Sequence, residues 1–154
     1  MQQSEKSQLV ARFDKARRDM RSVLERIDPG REIYPGWRIR ENLAHITGWE
    51  EVTLKALQAY LAGGKAYLLP VQGIDLHNED LIAARAALSF EEVLREWEEI
   101  RLALKGLIAQ LSEQDLEMRI AFPWGLQGSI KDMLAIIADH EMDHARELNP
   151  SPSS

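Results

Sequence analysis

The chain has no cysteine. That removes disulfides, thiolate nucleophiles and sulfur-ligated zinc or iron–sulfur clusters, so any bound metal must be held by histidine and carboxylate. There is also no uninterrupted apolar run near the roughly 20 residues that a membrane-crossing helix needs. Charged residues are scattered through the first thirty positions, so neither a leader nor a membrane partner is expected and the chain reads as cytoplasmic. An excess of positive charge is missing as well: 19 Lys and Arg stand against 25 Asp and Glu, a formal net charge of -6. This balance argues against nucleic acid as a partner, with only a local patch at Arg17, Arg18 and Arg21 left open. Apolar and polar residues nowhere alternate long enough for a half-buried strand, and no repeat of 20–50 residues is present.

What remains is the composition of an ordinary globular protein. The 154 residues are 45% hydrophobic and 29% charged, with a mean hydropathy of -0.33. That length suits one domain, expected over 1–149, with a disordered tail over 150–154.

Leu9, Phe13, Ala16, Met20, Val23, Leu24 and Ile27 recur at steps of three and four, the spacing that lays a stripe along a helix ending near Asp28-Pro29-Gly30. After Pro35-Gly36 the pattern resumes at Ile39, Leu43, Ile46, Trp49, Val52, Ala56 and Tyr60, and stops at Gly63-Gly64. Residues 65–78 hold no period and predict an ordered loop, followed by a short helix over about 78–88. Ser89 with Glu92 matches a capping box that opens a third long helix through Leu111. Ser112 to Leu116 reads as a one-turn connection. A second long connection contains Pro123, Gly125 and Gly128, and Ser129 with Asp132 marks the start of a last long helix running to about Glu147. Four amphipathic helices must bury their stripes against one another, which predicts an all-α four-helix bundle with long connections after the second and third helices. Those connections argue against simple up-down-up-down order.

Histidine occurs four times. Two of these, His140 and His144, lie one turn apart in His140-Glu141-Met142-Asp143-His144, so their rings can converge on one ion at about 2.0–2.1 Å. A third ligand must come from another helix. His45, set among Leu43, Ile46 and Trp49, leads over His77, which falls in the loop. An isolated histidine beside an apolar stripe is ordinarily a hydrogen-bonded imidazole; the pair together with His45 is what turns the reading toward a metal. The same five residues fit the HExxH pattern of zinc peptidases. The chain offers no further histidine downstream, no downstream glutamate on another helix and no strand to align a peptide, which disfavours that class.

The stretch from Trp37 through His45 to Glu50, the pattern around Asp75, Asn78 and Ser89-Phe90-Glu91-Glu92, and the stretch from Gly128 through His140 to His144 resemble the DinB-like superfamily. That superfamily includes YfiT-type metal-dependent hydrolases, bacillithiol transferases and mycothiol-dependent maleylpyruvate isomerases. The resemblance covers most of the chain and implies a four-helix bundle holding one divalent ion through His45, His140 and His144. Arg38 departs from the Ser or Thr common at that point and weakens the expected helix cap.

Three imidazoles leave a coordination position open, so the expected function is a metal-dependent hydrolase, or a transferase using a low-molecular-weight thiol, acting on a small molecule. Zinc, nickel, iron and manganese all suit such ligands. Glu141, Glu50 and Asp143 are candidates for groups supporting the ligands, although Glu141 lies about 100° around the helix from His140. Trp49, Tyr60 and Trp124 are candidates for a pocket. The alternatives are a non-catalytic small-molecule-binding or stress-protection module of the same fold, and an interaction protein whose apolar strips form a homodimer, as superfamily members often do.

Overall fold

The computed structural model describes residues 4–148, so the expected tail over 150–154 lies outside the described residues. The elements are α1 (Glu5–Arg26), α2 (Ile39–Leu61), α3 (Ile74–Ala83), α4 (Phe90–Gln110), α5 (Glu113–Glu117), β1 (Arg119–Ala121), β2 (Gln127–Ser129) and α6 (Ile130–Leu148). The four long helices α1, α2, α4 and α6 form the bundle expected from the apolar stripes.

Local chemistry explains most helix starts. Ser4 accepts from the Ser7 N–H to open α1. Ser89 accepts from Glu92 N–H while the Glu92 carboxylate takes Ser89 N–H, closing a capping box at α4. Ser129 accepts from Asp132 N–H at the start of α6. At α2 the N-cap is Arg38, which has no hydroxyl to offer, and the Glu41 carboxylate alone makes the local link, accepting Arg38 N–H at 2.8 Å.

The short helix begins earlier than its sequence pattern predicts, because the extended Gly73 serves as its N-cap and places His77 on α3. The hairpin β1–β2 was not expected. Arg119 pairs with Ser129, Ile120 with Gly128 and Ala121 with Gln127, in strands of three residues each. Three residues are too few to show alternation in the sequence. The turn passes through Gly125 at φ 102°, a backbone region that glycine enters without penalty. A side chain at Gly128 would come within 2.7 Å of the Phe122 ring.

The buried apolar residues form two clusters. One gathers Leu9 and Phe13 of α1, Trp49 to Leu57 of α2, Leu104 and Ile108 of α4, and Ile130 to Ala138 of α6. The other gathers Met20 and Val23, Ile39 to Ile46, Val93 and Trp97, and Ala145 and Leu148. Read along each helix, α1 and α6 pass from the first cluster to the second, whereas α2 and α4 pass from the second to the first. Thus α2 and α4 run in the same direction and pack closely. The long connection carrying α3 returns the chain along the bundle between them.

Between the clusters lies a buried ionic layer with one residue from each long helix: Arg17, Glu50, Arg101 and Glu141. Arg101 Nη2 donates to Glu50 at 3.1 Å and to Glu141 at 2.8 Å, and its Nη1 donates to the Phe13 carbonyl. Arg17 lies 3.4 Å from Glu141 and stacks over the Trp97 ring. Two guanidiniums and two carboxylates balance, as burial of charge requires.

Candidate metal centre

His45 sits in the second turn of α2, buried between Ala44 and Ile46, and points at α6. On α6, His140 and His144 are one turn apart, so helix geometry alone puts both rings on the face that meets α2. The three Nε2 atoms converge: His45 Nε2 lies 2.9 Å from His140 Nε2, which lies 3.1 Å from His144 Nε2. Around one tetrahedral ion with bonds of about 2.0–2.1 Å, nitrogen atoms stand about 3.3 Å apart. The observed separations need to open by only a few tenths of an ångström. The donor set, three imidazole nitrogens from two helices, therefore fits a divalent ion, and these are the residues able to hold one among those described.

Electrostatics favours the form that ligates. Burial, followed by the neighbouring His140 and His144 rings, pushes His45 down to about 3. Burial and then His144 push His140 down to about 4, and burial lowers His144 as well. All three rings are thus neutral at pH 7, each with one nitrogen lone pair free to ligate a cation.

The cluster opens onto a cavity of about 280 Å³ lined by His45, Trp49, Ile74, Asn78, Trp124, Ile136, Ile137 and His140. Among the described residues, no charged side chain lines it. Trp49 and Trp124 meet edge to face, with centroids 5.9 Å apart. Trp124 comes from the hairpin turn and Asn78 from α3, so both long connections build the cavity. The Trp49 indole N–H donates to Asn78 Oδ1 at 2.8 Å, which leaves the amide nitrogen of Asn78 as a donor at the wall.

The other residues singled out in the sequence stand elsewhere. Tyr60 is not in the lining and donates to Asp115 at 2.7 Å. His77 is buried on α3 beside Trp49 and next to Gln72, outside the three-histidine group. Asp143 is exposed and pairs with Arg146. Glu50 and Glu141 belong to the ionic layer. Burial opposes ionisation of Glu141, but Arg101, Arg17 and the Trp97 N–H outweigh it and hold its carboxyl below the ordinary range. That engagement takes Glu141 out of the role that the glutamate of HExxH plays in a peptidase. Ile74, Ile136, Ile137 and Asn42 were not singled out in the sequence. Of these only Asn42 gave a signal, as an amide three residues before His45 on an otherwise apolar face.

A sequence profile of the DinB superfamily matches residues 12–148. The chain belongs to the DinB superfamily. No curated protein matches it significantly. Among solved structures, this DinB-superfamily chain is similar to an uncharacterised protein from Escherichia coli UTI89, with a TM-score of 0.75, 17% identity, and 93% of this chain and 90% of that one covered. It is similar to the colibactin self-resistance protein ClbS in complex with double-stranded DNA, with a TM-score of 0.77, 18% identity and coverage of 94% and 93%. It is also similar to the mycothiol-dependent maleylpyruvate isomerase, with a TM-score of 0.71, 17% identity and 92% of this chain covered, though the chain spans only 60% of that protein.

The ClbS complex corrects one expectation. The exclusion of nucleic acid on the acidic balance does not stand, because a protein of this fold is seen with double-stranded DNA. Net charge sums over the whole surface, whereas phosphate contact depends on local potential. The patch at Arg17, Arg18 and Arg21 is itself dispersed: Arg17 is buried in the ionic layer, Arg21 pairs with Glu98, and Arg18 is exposed. No helix is long and apolar enough to cross a membrane among the described residues.

Proposed function

We propose that this DinB-superfamily protein is a divalent-metal protein, with His45, His140 and His144 as the ligands, that acts on a small uncharged apolar molecule by hydrolysis or by transfer to a low-molecular-weight thiol. The observation that carries the reading is the convergence of three Nε2 atoms at the wall of an apolar cavity. A divalent ion there supplies Lewis acidity toward a group entering from the cavity. The protein's own contribution is positional. Trp49, Trp124 and the isoleucines present an apolar wall that favours a flat apolar molecule, and the Asn78 amide nitrogen donates to an oxygen on it. The mycothiol dependence of the isomerase with this fold motivates the thiol as co-substrate.

A second reading, a non-catalytic binding or protective module, is favoured by one feature: among the described residues no carboxylate lines the cavity, and the acid–base groups at its wall are imidazoles. The self-resistance role of ClbS is in keeping with it. Metal analysis of the purified protein, followed by ester-hydrolysis and thiol-consumption screens with neutral aromatic electrophiles, separates the two. The enzyme reading expects stoichiometric metal and an activity lost both to chelator and in His144→Ala. Activity that survives both treatments overturns it, and metal-dependent ligand binding without turnover selects the second reading.

A further inference from the structure

Asn42 is fully buried on α2, three residues before His45 and on the same helix face. Its amide meets the ring of His144 from behind, with Nδ2 3.3 Å from His144 Nδ1, on the side of the imidazole away from the three converging Nε2 atoms. The amide oxygen Oδ1 has no partner in the core. A neutral imidazole carries one proton. A ring that ligates through Nε2 must therefore carry that proton on Nδ1, where it needs an acceptor, and an amide nitrogen cannot be one. Half a turn of the Asn42 amide about its own terminal bond exchanges two groups of nearly equal shape and brings Oδ1 to the place from which Nδ2 contacts the ring.

We infer that Asn42 is a positioning residue for the metal centre, accepting the Nδ1 proton of His144 through its side-chain oxygen and so fixing both the tautomer and the orientation of that ligand. The role rests on the metal reading given above. Among the described residues His45 has no such support, its Nδ1 being buried without a partner. The assignment also accounts for a fully buried amide among Ile39, Leu43 and Ile46.

The test is affinity for Zn(II), measured by competition with a chromophoric chelator, on wild type, Asn42→Leu and Asn42→Asp, with thermal unfolding of each metal-free protein alongside. Loss of a group that orients a histidine ligand typically weakens metal binding by about 10–100-fold, and that loss is expected for Asn42→Leu. Asn42→Asp keeps an acceptor and discards the donor, so it should bind within a few-fold of wild type. Wild-type affinity in Asn42→Leu, or an Asn42→Asp as weak as the leucine variant, overturns the inference and leaves the metal reading intact. A wild-type protein that takes up no zinc overturns both. Should the variants fail to fold, nitrogen-15 spectra of the zinc-loaded wild type decide: a slowly exchanging proton on His144 Nδ1 is expected, and a proton exchanging at the rate of free imidazole contradicts the role.

Discussion

Arg101 and Glu141 meet at 2.8 Å in the middle of the bundle, where Glu141 stands one residue along the chain from the candidate metal ligand His140 and about 100° around α6 from it. α6 is therefore buried on two faces. One carries His140 and His144 toward α2, and the other carries Glu141 toward Arg101 and Arg17. The ionic layer fixes the rotation of α6 and, through Glu50, that of α2, the two helices whose histidines must face each other.

Removing one member of this layer strands its partners without compensation. Arg101→Met should cost about 3–5 kcal/mol in urea unfolding, because Glu50 loses its nearest cation and Glu141 one of two. The double variant Arg101→Met with Glu50→Met leaves Arg17 and Glu141 as a balanced pair and should recover most of that loss. An unaltered midpoint in the single variant would mean that the layer contributes nothing to stability.

Gly48 lies where α2 passes α3. A Cβ there would stand 2.9 Å from Cβ of Leu81 and 3.2 Å from its Cδ2. Overpacking of this kind typically costs about 1–3 kcal/mol, against about 1 kcal/mol gained by replacing a helical glycine with alanine. Gly48→Ala should therefore be destabilising on balance and displace α3, with Ile74 and Asn78, from the cavity. Adding Leu81→Ala should relieve it. If calorimetry finds Gly48→Ala more stable than wild type, the close approach is not a constraint.

Glu41 sets the pH dependence of the start of α2. Burial raises its pKa, but the Arg38 N–H and the Arg40 guanidinium outweigh burial and hold the carboxyl below the ordinary range. A folded value below the unfolded one gives stabilisation that is present above about pH 4.3, the ordinary glutamate value. It is lost as pH falls through the folded value. Glu41→Gln should be less stable by about 1 kcal/mol at pH 7, with the difference from wild type closing below about pH 4. A gap that persists at pH 3 would assign the effect to packing instead of charge.

Much of this was legible because it is local. Helix spacing shows in the stripe of Leu9, Phe13, Ala16 and Met20, capping in Ser89 with Glu92, and the facing of His140 and His144 in their separation by one turn. The β1–β2 hairpin was not legible, since strands of three residues carry no period. The roughly 100° step of the helix turns Glu141 away from His140, yet nothing in its neighbours announced that it is buried against two guanidiniums contributed by residues 17 and 101.

The sequence by itself determined the four helices, their apolar faces and one imidazole pair, since rise and turn per residue fix what lies beside what along a single helix. Tertiary structure decided that α2 and α4 run in the same direction, that His45 completes the group, that Asn42 backs His144, and that Trp124 and Asn78 wall the cavity. These relations join residues tens of positions apart. They depend on how whole helix faces and the two long connections pack together, which no local spacing encodes.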